Sequence, residues 1–108
     1  MGRITVNEKS LEWEGTRWKG CLKKTLGVVP DTGATAQLFK IEAGCAVETH
    51  KHPCAQQIYI ISGKAETSEG EVLTAGTYVF LPPGEEHGFR AMEECLFFES
   101  FEAMIRVE

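Results

Sequence analysis

The sequence predicts an all-β fold, an antiparallel sandwich or small barrel. From about residue 17 onward, short runs of β-branched and aromatic residues alternate with turn residues, and no convincing amphipathic helix lies between them. The chain has 108 residues, of which 43% are hydrophobic and 25% are charged. This length and composition predict one domain with a single core that folds without disulfides.

Four runs predict the central strands in chain order. "TAQLFKIEAG" ends at Gly44, "QQIYIISG" ends at Gly63, "GTYVFLPPG" closes in a Pro-Pro-Gly turn at 82–84, and "CLFFESF" follows near the end. Between the second and third runs, "TSEGEV" at 67–72 predicts a hairpin turn in which Gly70 takes a positive φ. The upstream segment "EWEGTRWKGCLKKTL" is expected to supply entry strands.

Side-chain alternation assigns faces within "QQIYIISG". If Gln56 points into the barrel, Ile58 and Ile60 also face inward, whereas Gln57 and Tyr59 face outward. A register error of one residue would reverse this assignment.

The two ends of the chain carry weaker signals. Residues 1–16 are polar and turn-rich, and we expect an arm or edge strand that lies over the body or across a partner subunit. "FEAMIRVE" at 101–108 is compatible with a last strand or with a helical turn.

Charge and hydropathy exclude several classes of partner. The chain has 11 basic and 16 acidic residues, a net charge of -5, and no basic run longer than Lys23-Lys24, which argues against nucleic acid or an anionic membrane surface. No segment approaches the ~20 apolar residues that span a bilayer, and the first ten residues lack the apolar centre of a signal peptide. We therefore expect a cytoplasmic protein.

The cysteines are scattered singly and form no C-x-x-C pair, so zinc-finger and thioredoxin-like sites are excluded by spacing. In a reducing compartment we expect four free thiols: Cys21, Cys45, Cys54 and Cys95.

Three histidines are the candidates for metal binding. His50 and His52 are two residues apart, so on a strand both imidazoles would project from one face. Alone, this H-x-H pattern is weak evidence for a metal site and favours two partly exposed histidines on a solvated strand face. His87 follows a stiff Pro-Pro-Gly corner that can aim the first side chain of the next strand inward.

The spacing of these residues resembles the two motifs that define the cupin superfamily. The first motif, at residues 44–63, is matched by Gly44, His50, His52, Gln56 and Gly63, with glutamine where glutamate is usual. The second, at residues 76–91, is matched by Gly76, Pro82, Gly84 and His87, while Ala91 replaces the usual asparagine. Within the superfamily, "KHP" and "QQIYIISGKAETSEGEVLTAGTYVFLPPGEEHGF" most resemble the ChrR-type cupin-like group.

The resemblance implies a single cupin domain over residues 1–108, a double-stranded β-helix of the jelly-roll type with an N-terminal arm. It also implies one divalent transition metal, iron for an enzyme, with zinc, nickel or manganese as alternatives. The implied ligands are His50, His52, Gln56 and His87.

Gln56 changes the expected chemistry because its carboxamide oxygen is neutral and a weaker donor than a carboxylate. As a ligand it would leave the ion with its full charge and favour an anionic, chelating partner such as an enolate. The alternative is that Gln56 lies outside the ligand set and orients a bound water or an imidazole.

Other polar and aromatic residues are secondary candidates. Arg90 is expected to be a solvated arginine, with binding of a substrate carboxylate as the alternative. Glu99 is expected to face solvent, although an inward position would raise its pKa and suit acid–base work. Cys54 is expected to be a plain thiol rather than a soft metal donor. The remaining aromatic residues are expected in the core or an interface: Tyr78, Phe80, Phe97, Phe98 and Phe101.

Three functions stay open at this point. The ChrR-type group includes dioxygenases that cleave small aromatic or diketone substrates and the metal-binding domain of a zinc anti-sigma factor. The resemblance therefore predicts a non-haem iron dioxygenase, with a metal or ligand sensor as the first alternative and a metal-dependent isomerase or lyase as the second. Since an open antiparallel sandwich has edges to cover, we also expect a homodimer.

Overall fold

A computed structural model describes residues 2–108, which form eight β-strands and one short 3-10 helix, Glu8–Ser10. The strands are β1 (Glu14–Gly15), β2 (Cys21–Val28), β3 (Thr35–Ile41), β4 (Ala46–His50), β5 (Gln56–Thr67), β6 (Val72–Thr74), β7 (Tyr78–Leu81) and β8 (His87–Phe101). The predicted all-β fold is confirmed, and all four predicted runs form strands.

One long strand, β8, organises the sheet. The main path runs β1-β2-β3-β8-β5-β6, while β4 pairs with the first part of β8 and β7 pairs with β5. All of these pairings are antiparallel. The first part of β8 pairs with β4 and its last part pairs with β3. This one strand therefore joins the two sides of the barrel around a common interior, as in a cupin barrel.

Alternation separates the interior of the barrel from its surface. On β5, Ile58 and Ile60 are buried while Gln57 and Tyr59 are exposed, which confirms the predicted faces. The core is formed by inward residues of β2, β3, β5 and β8. The largest side chain with no exposed surface is Phe97, and the same cluster contains the fully buried Ile41, Cys21 and Cys95. Apolar packing of these side chains is the main stabilising contribution.

Two glycines make turns and close contacts that other residues would strain. Gly70 has φ +90° in the hairpin between β5 and β6, as predicted. Gly63 has φ +93° at an irregular part of the β5–β8 pairing, where an added Cβ would meet the carbonyl oxygen of Glu94 and the Cα of Cys95. The end of the first motif is therefore a glycine because two strands touch there.

The N-terminal arm lies over the body of the same chain. Lys24 on β2 is buried beneath it and forms an ion pair with Glu8 at 2.8 Å. The ring of Trp13 packs over the ammonium groups of Lys24 and Lys40, at 4.8 and 4.5 Å from the ring centroid. These contacts cover the outer face of β2 and β3.

The C-terminal segment after Phe101 forms neither a last strand nor a helical turn. β8 ends at Phe101, the chain bends at 102–104, and the last residues run without a strand or helix assignment. They are held by two backbone hydrogen bonds between Lys51 and Glu108, 2.8 and 3.0 Å long. This return brings the end of the chain beside the histidine loop.

Among the described residues, no helix is long and apolar enough to cross a membrane. The four cysteines, all of them within residues 2–108, are free thiols, as expected.

Candidate metal centre

Two strands and one loop bring the three histidines together. His50 ends β4 and His87 begins β8, and the two are Cα partners in the pairing of these strands. The expectation that His50 and His52 share one strand is wrong in one respect, since β4 ends at His50 and His52 precedes Pro53 in an irregular loop. Proline has no N–H for a ladder bond and restricts the residue before it, so pairing stops here. The three ligand atoms nevertheless lie within 4.8 Å of one another.

Each imidazole is oriented by a backbone carbonyl. The Nδ1 atom of His50 lies 2.7 Å from the carbonyl oxygen of Glu48. The Nδ1 atom of His52 lies 2.6 Å from the carbonyl oxygen of Arg106, and that of His87 lies 3.0 Å from the carbonyl oxygen of Glu85. A carbonyl oxygen can only accept, so each Nδ1 carries the proton and donates it. In the neutral ring Nε2 is then the lone-pair nitrogen, which is the form that binds a metal.

The lone-pair nitrogens point at one another. Nε2 of His50 is 3.1 Å from Nε2 of His52, and two acceptors at that distance repel unless a cation lies between them. Nitrogen ligands about 2.1 Å from one ion are themselves about 3 Å apart when they occupy adjacent positions. The donor set therefore fits a divalent transition metal ion, and the three histidines are positioned to bind one.

Burial keeps the three rings neutral. It lowers the pKa of His50 and His52 below the ordinary value, and it lowers the pKa of His87 to about 4, against a smaller upward effect of the carbonyl bond in each ring. At neutral pH no proton has to be displaced from these nitrogens before a metal binds.

Gln56 begins β5 and is 3% exposed beside the histidines. Its Oε1 atom is buried and has no hydrogen-bond partner within residues 2–108. An unpaired buried carbonyl oxygen costs about 1–3 kcal/mol, and a cation in the cavity would remove that cost. The position and the unpaired oxygen suit a fourth, neutral oxygen donor.

The histidines line a cavity of about 320 Å³ at one end of the barrel. Phe39, Phe89 and Phe101 form apolar walls, and Ile105 and Val107 of the C-terminal segment close one side. The Trp18 ring lies 4.8 Å from that of His50, and the loop that carries it also brings Arg17 to the cavity. Sequence reasoning missed this loop because no motif marks it.

Glu99 is inside the cavity, which corrects the expectation that it faces solvent. It is 5% exposed, lines the same cavity as the histidines, and accepts a hydrogen bond at Oε1 from Nε2 of Gln37, 2.8 Å away. Burial raises the pKa of Glu99 to about 7, and the bond from Gln37 opposes this only in part. Sequence reasoning did not identify Gln37 as a residue of the site.

Apart from Phe101, the other secondary candidates lie outside the cavity. Arg90 is exposed and pairs loosely with Glu66 at 3.5 Å, as expected for a solvated arginine. Cys54 is a half-buried thiol whose Sγ is 3.9 Å from the carbonyl oxygen of Ala103. Phe97 is in the core as expected and Phe101 borders the cavity, whereas Tyr78, Phe80 and Phe98 are exposed on the outer face.

Comparison with known proteins identifies one family. The family model of the ChrR cupin-like domain matches residues 1–104. A search of curated protein sequences gave no match.

Solved structures with the same fold come from several proteins. The polyketide cyclase RemF from Streptomyces resistomycificus is 21% identical with a TM-score of 0.86, over 99% of this chain and 84% of that one. An RmlC-like cupin from Shewanella frigidimarina is 23% identical with a TM-score of 0.82, over 94% and 92%. An acetylacetone dioxygenase from Acinetobacter johnsonii is 19% identical with a TM-score of 0.77, over 94% and 74%. At these identities the likeness shows the fold.

Proposed function

Because the chain belongs to the ChrR cupin-like domain family, we propose that it is a metalloenzyme acting on a small carbonyl compound. One divalent transition metal ion would be held by His50, His52, Gln56 and His87. In its most specific form the proposal is a non-haem iron dioxygenase for an enolisable diketone or a hydroxylated aromatic ketone. The observation that carries it is the convergence of proton-free Nε2 atoms in a cavity of about 320 Å³, in the size range of small-molecule sites.

When bound, the ion would supply Lewis-acid chemistry and, if it is iron, redox chemistry. The chain's own residues would bind and orient the substrate. Gln56 brings no charge to the ion, so an anionic, chelating substrate such as an enolate is favoured over a neutral one. The apolar side chains of Phe89 and Phe101 lower the local polarity of the wall, which strengthens charge interactions beside them.

A second candidate is a metal-dependent isomerase or lyase that needs no oxygen. It is favoured by the carboxyl group of Glu99 within the cavity, because such reactions need a residue that accepts a proton from carbon and returns it elsewhere. One of the solved structures of the same fold is a polyketide cyclase.

Metal analysis and oxygen uptake test these functions together. Protein purified without added ions would be analysed for iron, zinc, nickel and manganese, then reconstituted with each and offered β-diketones and hydroxylated acetophenones. Oxygen consumption with the iron protein supports the dioxygenase, and turnover under nitrogen supports the isomerase or lyase. Tightly held zinc with no turnover of any substrate would instead favour a sensor. His87→Ala is the inactive control, and unchanged turnover in it would contradict the proposal.

We also propose a homodimer that forms through an exposed apolar face of the sheet. Tyr59, Tyr78 and Phe98 are cross-strand neighbours on the outer surface of β7, β5 and β8, and Phe80 lies beside them; all four are at least 37% exposed. Such an apolar patch on a small barrel is suited to a second copy. Sedimentation of the wild type and of Tyr78→Lys would test this: a dimer that becomes a monomer supports it, and a monomeric wild type contradicts it.

A further inference from the structure

Glu99 occupies a place where the barrel would ordinarily carry an apolar side chain. The inward residues of this part of β8 are Cys95, Phe97, Glu99 and Phe101, and the three apolar neighbours of Glu99 are at most 5% exposed. A carboxyl group in such a row loses its hydration without gaining packing, so it is costly to the fold. Costly polar groups in a cavity are characteristic of functional sites.

Within residues 2–108, Glu99 takes part in no ion pair. The ion pairs within residues 2–108 are Lys24–Glu8 and Arg90–Glu66, and neither includes Glu99. Across the sheet it faces the neutral Gln37 on β3 and Ile58 on β5. The remaining titratable groups near Glu99 are Arg17 from the β1–β2 loop, Lys23 on β2, the three histidines, and the Cys21 thiol on β2, whose pKa is raised mainly by burial and in part by Glu99.

Strand pairing fixes the hydrogen bond between Gln37 and Glu99. The two residues are Cα partners in the β3–β8 register, so the hydrogen bond from Nε2 to Oε1 is set by the backbone pairing. Within the described part of the chain, Oε2 of Glu99 has no hydrogen-bond partner. One oxygen is therefore held in place, and the other remains available to a ligand in the cavity.

We propose that Glu99 is a catalytic proton acceptor for a ligand bound beside the histidine cluster, with Gln37 as its positioning residue. The ligand class is a carbonyl compound with an acidic C–H bond next to the carbonyl. The inference rests on the proposed function and deepens it, because it names how the substrate becomes the anion that the metal site favours.

The step balances without a further reactant. The C–H bond next to the carbonyl breaks, its proton forms an O–H bond with Glu99, and the electron pair becomes the C=C bond of an enolate whose charge rests on the former carbonyl oxygen. Return of the proton to carbon restores the ionised carboxylate. A carboxyl group whose pKa is about 7 suits both directions near neutral pH.

Proton release on ligand binding tests the proposal without measuring turnover. Zinc-loaded protein, which cannot carry out redox chemistry, would be titrated with 2,4-pentanedione under nitrogen at pH 8 in buffers of different ionisation enthalpy. The wild type is expected to bind the probe with little proton release to the buffer, since Glu99 retains the proton. Glu99→Gln is expected to release about one proton per bound ligand, and Glu94→Gln, an exposed change on the same strand, should behave as wild type.

A second measurement needs no variant. In the wild type, proton release should rise as the pH falls through the pKa of Glu99 in the zinc protein, which the nearby cation holds below its metal-free value, because Glu99 is then already protonated and cannot accept another proton. Equal proton release by wild type and Glu99→Gln, or release that does not change with pH, would overturn the role of Glu99 while leaving the metal site in place. Absence of probe binding to the zinc protein would overturn the proposed function as well.

Discussion

His50 and His87 face each other across the antiparallel pairing of β4 with β8, with ring centroids 4.4 Å apart. The last residue of one strand and the first residue of another thus meet at the mouth of the barrel. Because both positions are set by backbone register, the two imidazoles are held together before any ion binds.

Removal of any histidine should abolish stable metal binding. We expect His50→Ala, His52→Ala and His87→Ala each to weaken zinc affinity by at least about 100-fold, since loss of a ligand should cost no less than loss of its supporting contacts. The measurement is competition with a chromophoric chelator. Cys54→Ser is the matched control from the same loop and should keep wild-type affinity; a matching loss there would mean that the thiol is a ligand.

Replacement of Gln56 by glutamate should tighten metal binding, because a carboxylate adds charge and a stronger oxygen donor. In metal-free protein the same change should lower the free energy of unfolding, because it places an uncompensated charge at a position that is 3% exposed. Both quantities can be measured, by chelator competition and by urea unfolding in EDTA. Gln57→Glu, on the exposed face of β5, should change neither.

Glu99 should make the metal-free protein less stable as the pH rises. The unfolded carboxyl group ionises near 4.5 and the folded one near 7, so the folded state binds more protons in between and stability is lost from about pH 4.5 to pH 7. The full loss is about 3 kcal/mol. Glu99→Gln has no such charge, so its advantage over wild type in the free energy of unfolding should grow by about that amount between pH 4 and pH 8.

Urea unfolding at several pH values checks this expectation. The histidines titrate in the same range but are present in both proteins, so their effects cancel in the difference. Glu94→Gln, which removes an exposed charge from the same strand, should show no comparable pH-dependent advantage. A constant difference between wild type and Glu99→Gln across the pH range would contradict the buried position of the carboxyl group.

Gly63 should tolerate no side chain. Gly63→Ala would bring its Cβ against the backbone of Glu94 and Cys95 as well as strain a positive φ, and we expect a loss of at least about 3 kcal/mol in the free energy of unfolding. Gly70→Ala has the same φ strain, but nothing lies within 4 Å of the added Cβ, so about 1 kcal/mol is expected. Thermal or urea unfolding of both variants measures the difference, and similar losses would show that the close contact with β8 is unimportant.

Much of the fold and part of the candidate site could be predicted from local pattern. Turn residues and alternation located the strands, and the spacing of His50, His52 and His87 within the two motifs predicted that they would meet. The prediction for Glu99 failed because "CLFFESF" is apolar on both faces. Phe97 is buried and Phe98 is 37% exposed, so hydrophobicity alone did not distinguish inside from outside.

By itself the sequence determined which residues recur at motif spacing, where the chain turns, and which donors are available, because these depend on neighbours along the chain. Only the tertiary structure decided that the carbonyl of Arg106 orients His52, that Gln37 lies opposite Glu99, and that the end of the chain closes one side of the cavity. These relations join residues as many as 62 positions apart. They depend on strand register and bulges in three dimensions, which no local periodicity encodes.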